Sequence, residues 1–190
     1  MTLFSDVVEV AGVRIDLLRP ESPETLIDED AFADDEYLPY WAELWPAATA
    51  LAEALPAVAG RRVVELGCGL GLVSLVAAAK GADVTATDWS ADAIELLWEN
   101  AARNGLALRA EVRDWREAWP ERFDLAVAAD VLYEQRNVEP VLARLHALAP
   151  EALVGLAGRP YEDAFLRLAG GAVEVAPRVV RITQSLAPPD

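Results

Sequence analysis

Glu65, Asp88 and Asp130 each stand at or near the end of a short apolar run, and Gly67, Gly69 and Gly71 follow the first of them. Carboxylates in such places can accept hydrogen bonds from hydroxyl or ammonium groups. Glycines permit positive φ and let a ligand lie against backbone without meeting a Cβ. Val63 and Val64 before the glycines and the run Leu72 to Lys80 after them predict a strand, a turn and a helix start. The first turn of a helix leaves backbone N–H groups unpaired, which suits a carboxylate or phosphate. A dinucleotide site would require G-x-G-x-x-G and hence a glycine at position 72, where Leu72 stands.

Asp88 lies 21 residues after Gly67 at the end of the next apolar run, placed to accept from both hydroxyls of a ribose. The alternative for Asp88 is a cap on the helix that follows. Trp89 could cover an adenine face or pack in the core. Asp114 and Trp115 end a third run, where a carboxylate could receive an adenine amino group. Ala129 and Asp130 end a fourth. An Asp at that place, with no evident basic neighbour, is costly to bury unless something pairs with it, which favours a functional acid. Arg159 and Tyr161 follow the fifth run and either border the same region or lie on the surface. Cys68 reads as a small filler, and His146 as a structural residue in the last turn of a helix.

These groups need a frame. The pattern predicts a hairpin from Val7–Val10 and Val13–Leu17 around Ala11-Gly12, then an acidic segment, Glu21 to Glu36, with eight acids and no base. That segment reads as a solvated loop or a mobile lid. Pro46 opens a helix in which Leu44, Ala48, Leu51 and Leu55 recur at helical spacing until Pro56. Strands are expected at 63–66, 83–87, 108–113, 123–129 and 152–157, and helices at 70–80, 90–104, 138–149 and 161–169. Ser90 and Asn137 are the expected caps, and Ile94, Leu97, Trp98 and Ala101 the buried stripe of the helix at 90–104. Two strands near 172–176 and 179–184 complete a mostly parallel, doubly wound α/β sheet with an antiparallel C-terminal edge. The expected organisation is one domain over 1–190: a hairpin at 1–20, the acidic loop at 21–36 and a ligand-binding core at 37–190.

With 54% hydrophobic residues in 190, the chain can bury a full core. No apolar run is long enough to cross a bilayer, and residues 1–9 do not read as a signal peptide. A cytoplasmic protein is expected. One cysteine and one histidine leave little for a disulfide or a metal. A net charge of −16 argues against nucleic acid and suits a cationic substrate or basic partner, or serves solubility alone. A single lysine among 16 basic residues suggests a GC-rich bacterial source.

The acid and glycines at 65–71 resemble motif I of the class I S-adenosylmethionine-dependent methyltransferases. Together with Leu38 to Pro46, which includes Trp41 and Trp45, and with Asp88, Asp114-Trp115 and the Asp-x-x-Tyr of Asp130 and Tyr133, they resemble a narrower group. These are the seven-strand methyltransferases that include the protein-lysine methyltransferases. The branch containing the electron-transfer flavoprotein β-subunit lysine methyltransferase and nicotinamide N-methyltransferase-like proteins is the most similar. The resemblance implies a Rossmann-like seven-stranded fold. It implies that Glu65 and the backbone at Gly67, Cys68, Gly69 and Gly71 hold the methionine part of the cofactor, with Trp45 nearby. Asp88 would take the ribose, Asp114 and Trp115 the adenine, and Trp41, Asp130 and Tyr133 would line the acceptor site, with Asp130 and Tyr133 catalytic.

The expected reaction is methyl transfer to a protein lysine or, alternatively, to a small nicotinamide-like amine. Acceptors at oxygen, carbon or a nucleobase are further readings; the last lacks an Asn/Asp-Pro-Pro-Tyr motif. A non-catalytic binding module would have no need of the intact Gly67, Gly69, Gly71 and Asp88.

Overall fold

The computed structural model describes residues 2–26 and 39–183. Residues 27–38, which take in most of the acidic segment at 21–36, lie outside them, and so does the question of a lid.

The chain opens with β1 (Leu3–Val10) and β2 (Val13–Pro20), an antiparallel hairpin forming its own sheet. Its two-residue turn places both Ala11 and Gly12 at positive φ, the geometry that matches the twist of paired strands. After a 3-10 turn at Tyr40–Ala42 comes α1 (Pro46–Glu53), with Pro46 at its first helical position. Then β3 (Arg62–Leu66), α2 (Leu72–Ala79), β4 (Asp83–Asp88), α3 (Ala91–Arg103) and β5 (Arg109–Val112) alternate. The second half comprises β6 (Leu125–Ala129), α4 (Val138–Leu148), β7 (Glu151–Gly155), α5 (Glu162–Ala169), β8 (Val173–Ala176) and β9 (Val179–Thr183).

The strands β3 to β9 form one seven-stranded sheet in the order β5-β4-β3-β6-β7-β9-β8. The first five in that order are parallel, while β9 runs antiparallel to both β7 and β8. This is the doubly wound sheet with an antiparallel C-terminal edge that the alternation predicts. The chain builds outward from β3 to β5, then returns to lay β6 on the other side of β3. That reversal leaves a crevice at the carboxyl ends of β3 and β6, where open α/β sheets bind ligands. β3, β6 and β7 are apolar almost throughout because both of their faces are covered. One core contains Leu51, Leu72, Leu75, Leu97 and Leu17; the other, across the sheet, contains Leu145, Leu148, Phe165, Trp115 and Trp119.

Two contacts lock outer elements in place, the first of them at the crevice. At Gly155, a Cβ would stand 2.7 Å from the carbonyl oxygen of Ala47, so α1 rests directly on β7 and delivers Trp45 to the cleft edge. On the far side of α2, the amides of Asn100 and Asn104 complete the ladder of β2. Asn100 accepts from the Leu18 N–H at 2.7 Å and donates to the Leu18 carbonyl at 3.1 Å. Asn104 accepts from the Asp16 N–H and donates to its carbonyl, both at 2.8 Å. Spaced one turn apart on α3, the two side chains act as a neighbouring strand would.

Some local expectations are corrected. Trp98 is 53% exposed; Ala93, Ile94, Leu97, Asn100 and Ala101 form the buried face instead. A buried Asn was invisible to apolar periodicity. Ser90 does cap α3, accepting from the Ala93 N–H. Asn137 precedes α4 but makes no side-chain cap, and its amide donates to the Val131 carbonyl at 3.3 Å. It secures the turn after β6 rather than the helix.

Candidate functional site

The crevice is a cleft with about 680 Å³ of open space, counting its mouth. The turn after β3 forms its floor. Gly67, Gly69 and Gly71 all have positive φ, and a Cβ on any of them would crowd its neighbours. At Gly67 it would meet Val131 and Trp115, at Gly69 the Trp41 carbonyl at 3.1 Å, and at Gly71 the side chain of Leu97. Glycine is required here by both conformation and space.

The donors of this turn are largely used within the protein, contrary to the expectation that the backbone at 67–71 presents them to a ligand. Cys68 N–H donates to the Thr87 carbonyl at 2.9 Å, Gly71 N–H to the Cys68 carbonyl at 2.8 Å, and Gly69 N–H to Asp88 Oδ2 at 2.9 Å. Inside the first turn of α2, Ser74 directs both its N–H and its hydroxyl to Glu65 Oε2. The glycines therefore offer curvature and bare surface more than donors.

Glu65 is buried beneath the turn, and that desolvation pushes its pKa up to about 8 against the opposing bonds from Ser74. Asp88 lies at the end of β4 and is also raised by burial, although the Ser90 and Gly69 N–H groups favour its charged form. Its Oδ1 accepts from the N–H of Ser90, the residue that caps α3, at 2.9 Å, so Asp88 braces the helix entry without capping it and borders the cleft. The Cys68 thiol is raised well above its usual value by burial. Trp115 packs in the wall, its buried Nε1 making no hydrogen bond; Trp89 stands at the rim, 37% exposed.

Asp114 is not brought to the cleft. Its carboxylate accepts from the Arg116 N–H at 2.8 Å and from Arg116 Nε at 2.9 Å. Burial would raise its pKa, but the Arg116 bonds outweigh it and hold the group below the usual range.

At the opposite end, Ala129, Asp130 and Tyr133 line the cleft with Trp41, Trp45 and Tyr40. Asp130 has φ +53°, a left-handed conformation that Asp tolerates better than most residues, and its N–H donates to the Gly155 carbonyl. The expectation of no basic neighbour is overturned. Arg159 grips Asp130 with Nε on Oδ1 and Nη2 on Oδ2, each at 2.7 Å. The same guanidinium lies 5.2 Å from the Trp45 ring centre. Tyr40, left unassigned by sequence, packs 5.1 Å from Tyr133, and its carbonyl takes the Trp45 indole N–H at 2.8 Å. Burial raises the Tyr133 phenol to about 12, so it stays protonated at neutral pH. Arg159 showed in the sequence only as a cation shortly after a strand end, and Tyr40 only as a neighbour of Trp41.

The lining fits an adenosyl amino-acid ligand: a Cβ-free floor, an acid at the second strand end, and the indole rings of Trp89 and Trp115 on the wall. A doubly wound sheet with such a cleft at its switch point defines a Rossmann-like ligand-binding domain. The family model described as methyltransferase small domain matches residues 40–155. The chain belongs to that family.

Among curated proteins, EEF1A lysine methyltransferase 3 of Mus musculus is 31% identical over 129 residues, covering 62% of this chain and 55% of the relative. Protein N-lysine methyltransferase METTL21A of Danio rerio is 35% identical over 121 residues, covering 57% and 55%. This chain thus aligns with about half the length of each. Among solved structures, the T. thermophilus 16S rRNA N2 G1207 methyltransferase RsmC, in complex with AdoMet and guanosine, superposes with a TM-score of 0.68 at 22% identity. It covers 96% of this chain and 51% of that one. At that identity the likeness concerns the fold.

Proposed function

We propose that this chain is an S-adenosylmethionine-dependent N-methyltransferase acting on a lysine side chain of a protein. The observation that carries the reading is one cleft joining the glycine turn and Asp88 at one end to Asp130, Tyr133 and an aromatic wall at the other. Supporting it are the family of the chain and two relatives named as lysine methyltransferases. S-adenosylmethionine supplies an electrophilic methyl group when bound; the protein supplies alignment and exclusion of water.

Glu65, Gly67, Gly69 and Gly71 would hold the methionine portion, Asp88 the ribose, and Trp89 and Trp115 the adenine. Asp130 and Tyr133 would orient the acceptor. An amine must attack as its free base. For a lysine of pKa ~10.4 at pH ~7, that deprotonation costs about 4.6 kcal/mol. Tyr133, protonated up to about pH 12, cannot be the base. Its role is to hold the nitrogen in line. The net charge of −16 suits a basic protein acceptor.

Titration with S-adenosylmethionine tests the cofactor, and saturable binding is expected. Labelled-methyl transfer into a lysate, digested before or after reaction, then separates protein from small-amine acceptors. Label on lysine nitrogen of a protein is the expected result; label confined to small molecules, or on oxygen or carbon, overturns it.

A further inference from the structure

The chemistry that recognises an alkylammonium is a buried carboxylate beside aromatic faces. That arrangement is present at Asp130, Trp45, Tyr40 and Tyr133, and a cation of the protein's own lies in it. We propose that Arg159 is an internal stand-in for the substrate cation, exchanged for the incoming amine when the acceptor binds. The proposal rests on the amine-acceptor reading above and adds how the site selects its substrate.

Exposure supports an exchange. The Asp130 side chain is 2% exposed and the Arg159 side chain 31%. A carboxylate so enclosed needs a cation whichever state the site is in, because an unpaired buried charge is strongly unfavourable. The guanidinium, reaching in from the surface, can swing back to water at little cost. Both Asp130 oxygens are engaged by the fork of Arg159, so an ammonium cannot take the same positions until the fork leaves. The exchange is a rotation of the Arg159 side chain on a backbone that stays anchored. Glu162 anchors the loop at the N–H groups of Ala157 and Gly158, while Gly158 itself, at φ +82°, borders open space: a Cβ there would meet nothing within 4 Å. Asp130 would then meet a cationic chain end in place of a guanidinium at constant net charge. Acceptors that cannot carry a positive charge do not replace it and are rejected, whereas a captured ammonium must still release its proton before its nitrogen attacks.

The test uses the full chain saturated with S-adenosylhomocysteine and n-butylammonium chloride as the lysine-side-chain probe. Two readouts apply: intrinsic tryptophan fluorescence, and the Nε resonance of Arg159, assigned by its absence in R159Q. Saturable binding that moves the Nε resonance is expected in the wild type. R159Q should bind the probe about tenfold more tightly, a gain of about 1.4 kcal/mol, and D130N should lose binding. If R159Q no longer binds S-adenosylhomocysteine, R159K replaces it, with a smaller gain expected. Unchanged or weaker probe affinity on weakening the guanidinium overturns the exchange. So does an unmoved Nε resonance at saturation, or no saturable binding in any variant. Methyl found on lysine nitrogen alongside any of those results leaves the proposed function standing. Methyl found on oxygen or carbon fails that function instead.

Discussion

Asp130 combines burial, a left-handed backbone and a bidentate cation partner, and such combinations are maintained where chemistry needs them. Asn tolerates the same backbone, so D130N removes the charge with little change in strain. It is expected to lower the transfer rate by roughly 10²-fold or more while cofactor affinity stays within a few-fold; unaltered turnover would remove Asp130 from the acceptor site. Glu65 carries a pH dependence of its own. Its folded pKa of about 8 lies above the ordinary 4.5, so the stability it contributes is complete below pH 4.5 and is lost as pH rises through 8. Asp88, facing it, works in the same direction. The ceiling for Glu65 is several kcal/mol at about 1.4 kcal/mol per pKa unit. Thermal melts of the ligand-free protein from pH 5 to 9 should decline, and E65Q should flatten the decline because Gln can still accept from Ser74.

At Gly155 the contact between α1 and β7 has no room for a methyl group. G155A should push α1 off the sheet, costing about 1–3 kcal/mol, and should weaken cofactor binding because α1 carries Trp45 to the cleft. A melt and a binding titration on the same variant check both effects; an unchanged titration would show that the position of α1 does not reach the site. The hairpin depends on a different device. N100A leaves the Leu18 N–H and carbonyl without their buried partner and should cost about 1–3 kcal/mol. Hydrogen exchange should then quicken first in β2, at Leu18, whose N–H loses its acceptor.

Across the whole chain, the −16 charge sets a self-repulsion that added salt screens. A cofactor that binds only the folded form should stabilise it by about 2.7 kcal/mol at a hundredfold excess over its Kd. A melt unmoved by S-adenosylmethionine at that excess would contradict the proposed cofactor. Among the described residues, no helix is long and apolar enough to cross a membrane.

The alternation of strands and helices, the antiparallel C-terminal edge and the glycine turn were legible in the chain because each is written in neighbouring residues: apolar period, Gly spacing, Pro46 and Ser90. Strand ends could likewise be located, and a doubly wound sheet places strand ends at its crevice, so Glu65, Asp88, Ala129 and Asp130 came together as expected. Contacts between distant residues could not be read that way. Arg159 meets Asp130 across 29 positions and Asn100 meets Leu18 across 82. Local competition escaped it as well, as when Arg116 engaged the Asp114 carboxylate and the turn used its own N–H groups. Periodicity records which face of an element is apolar. Only packing decides which polar group finds which partner, since that choice depends on distances created after the elements are assembled.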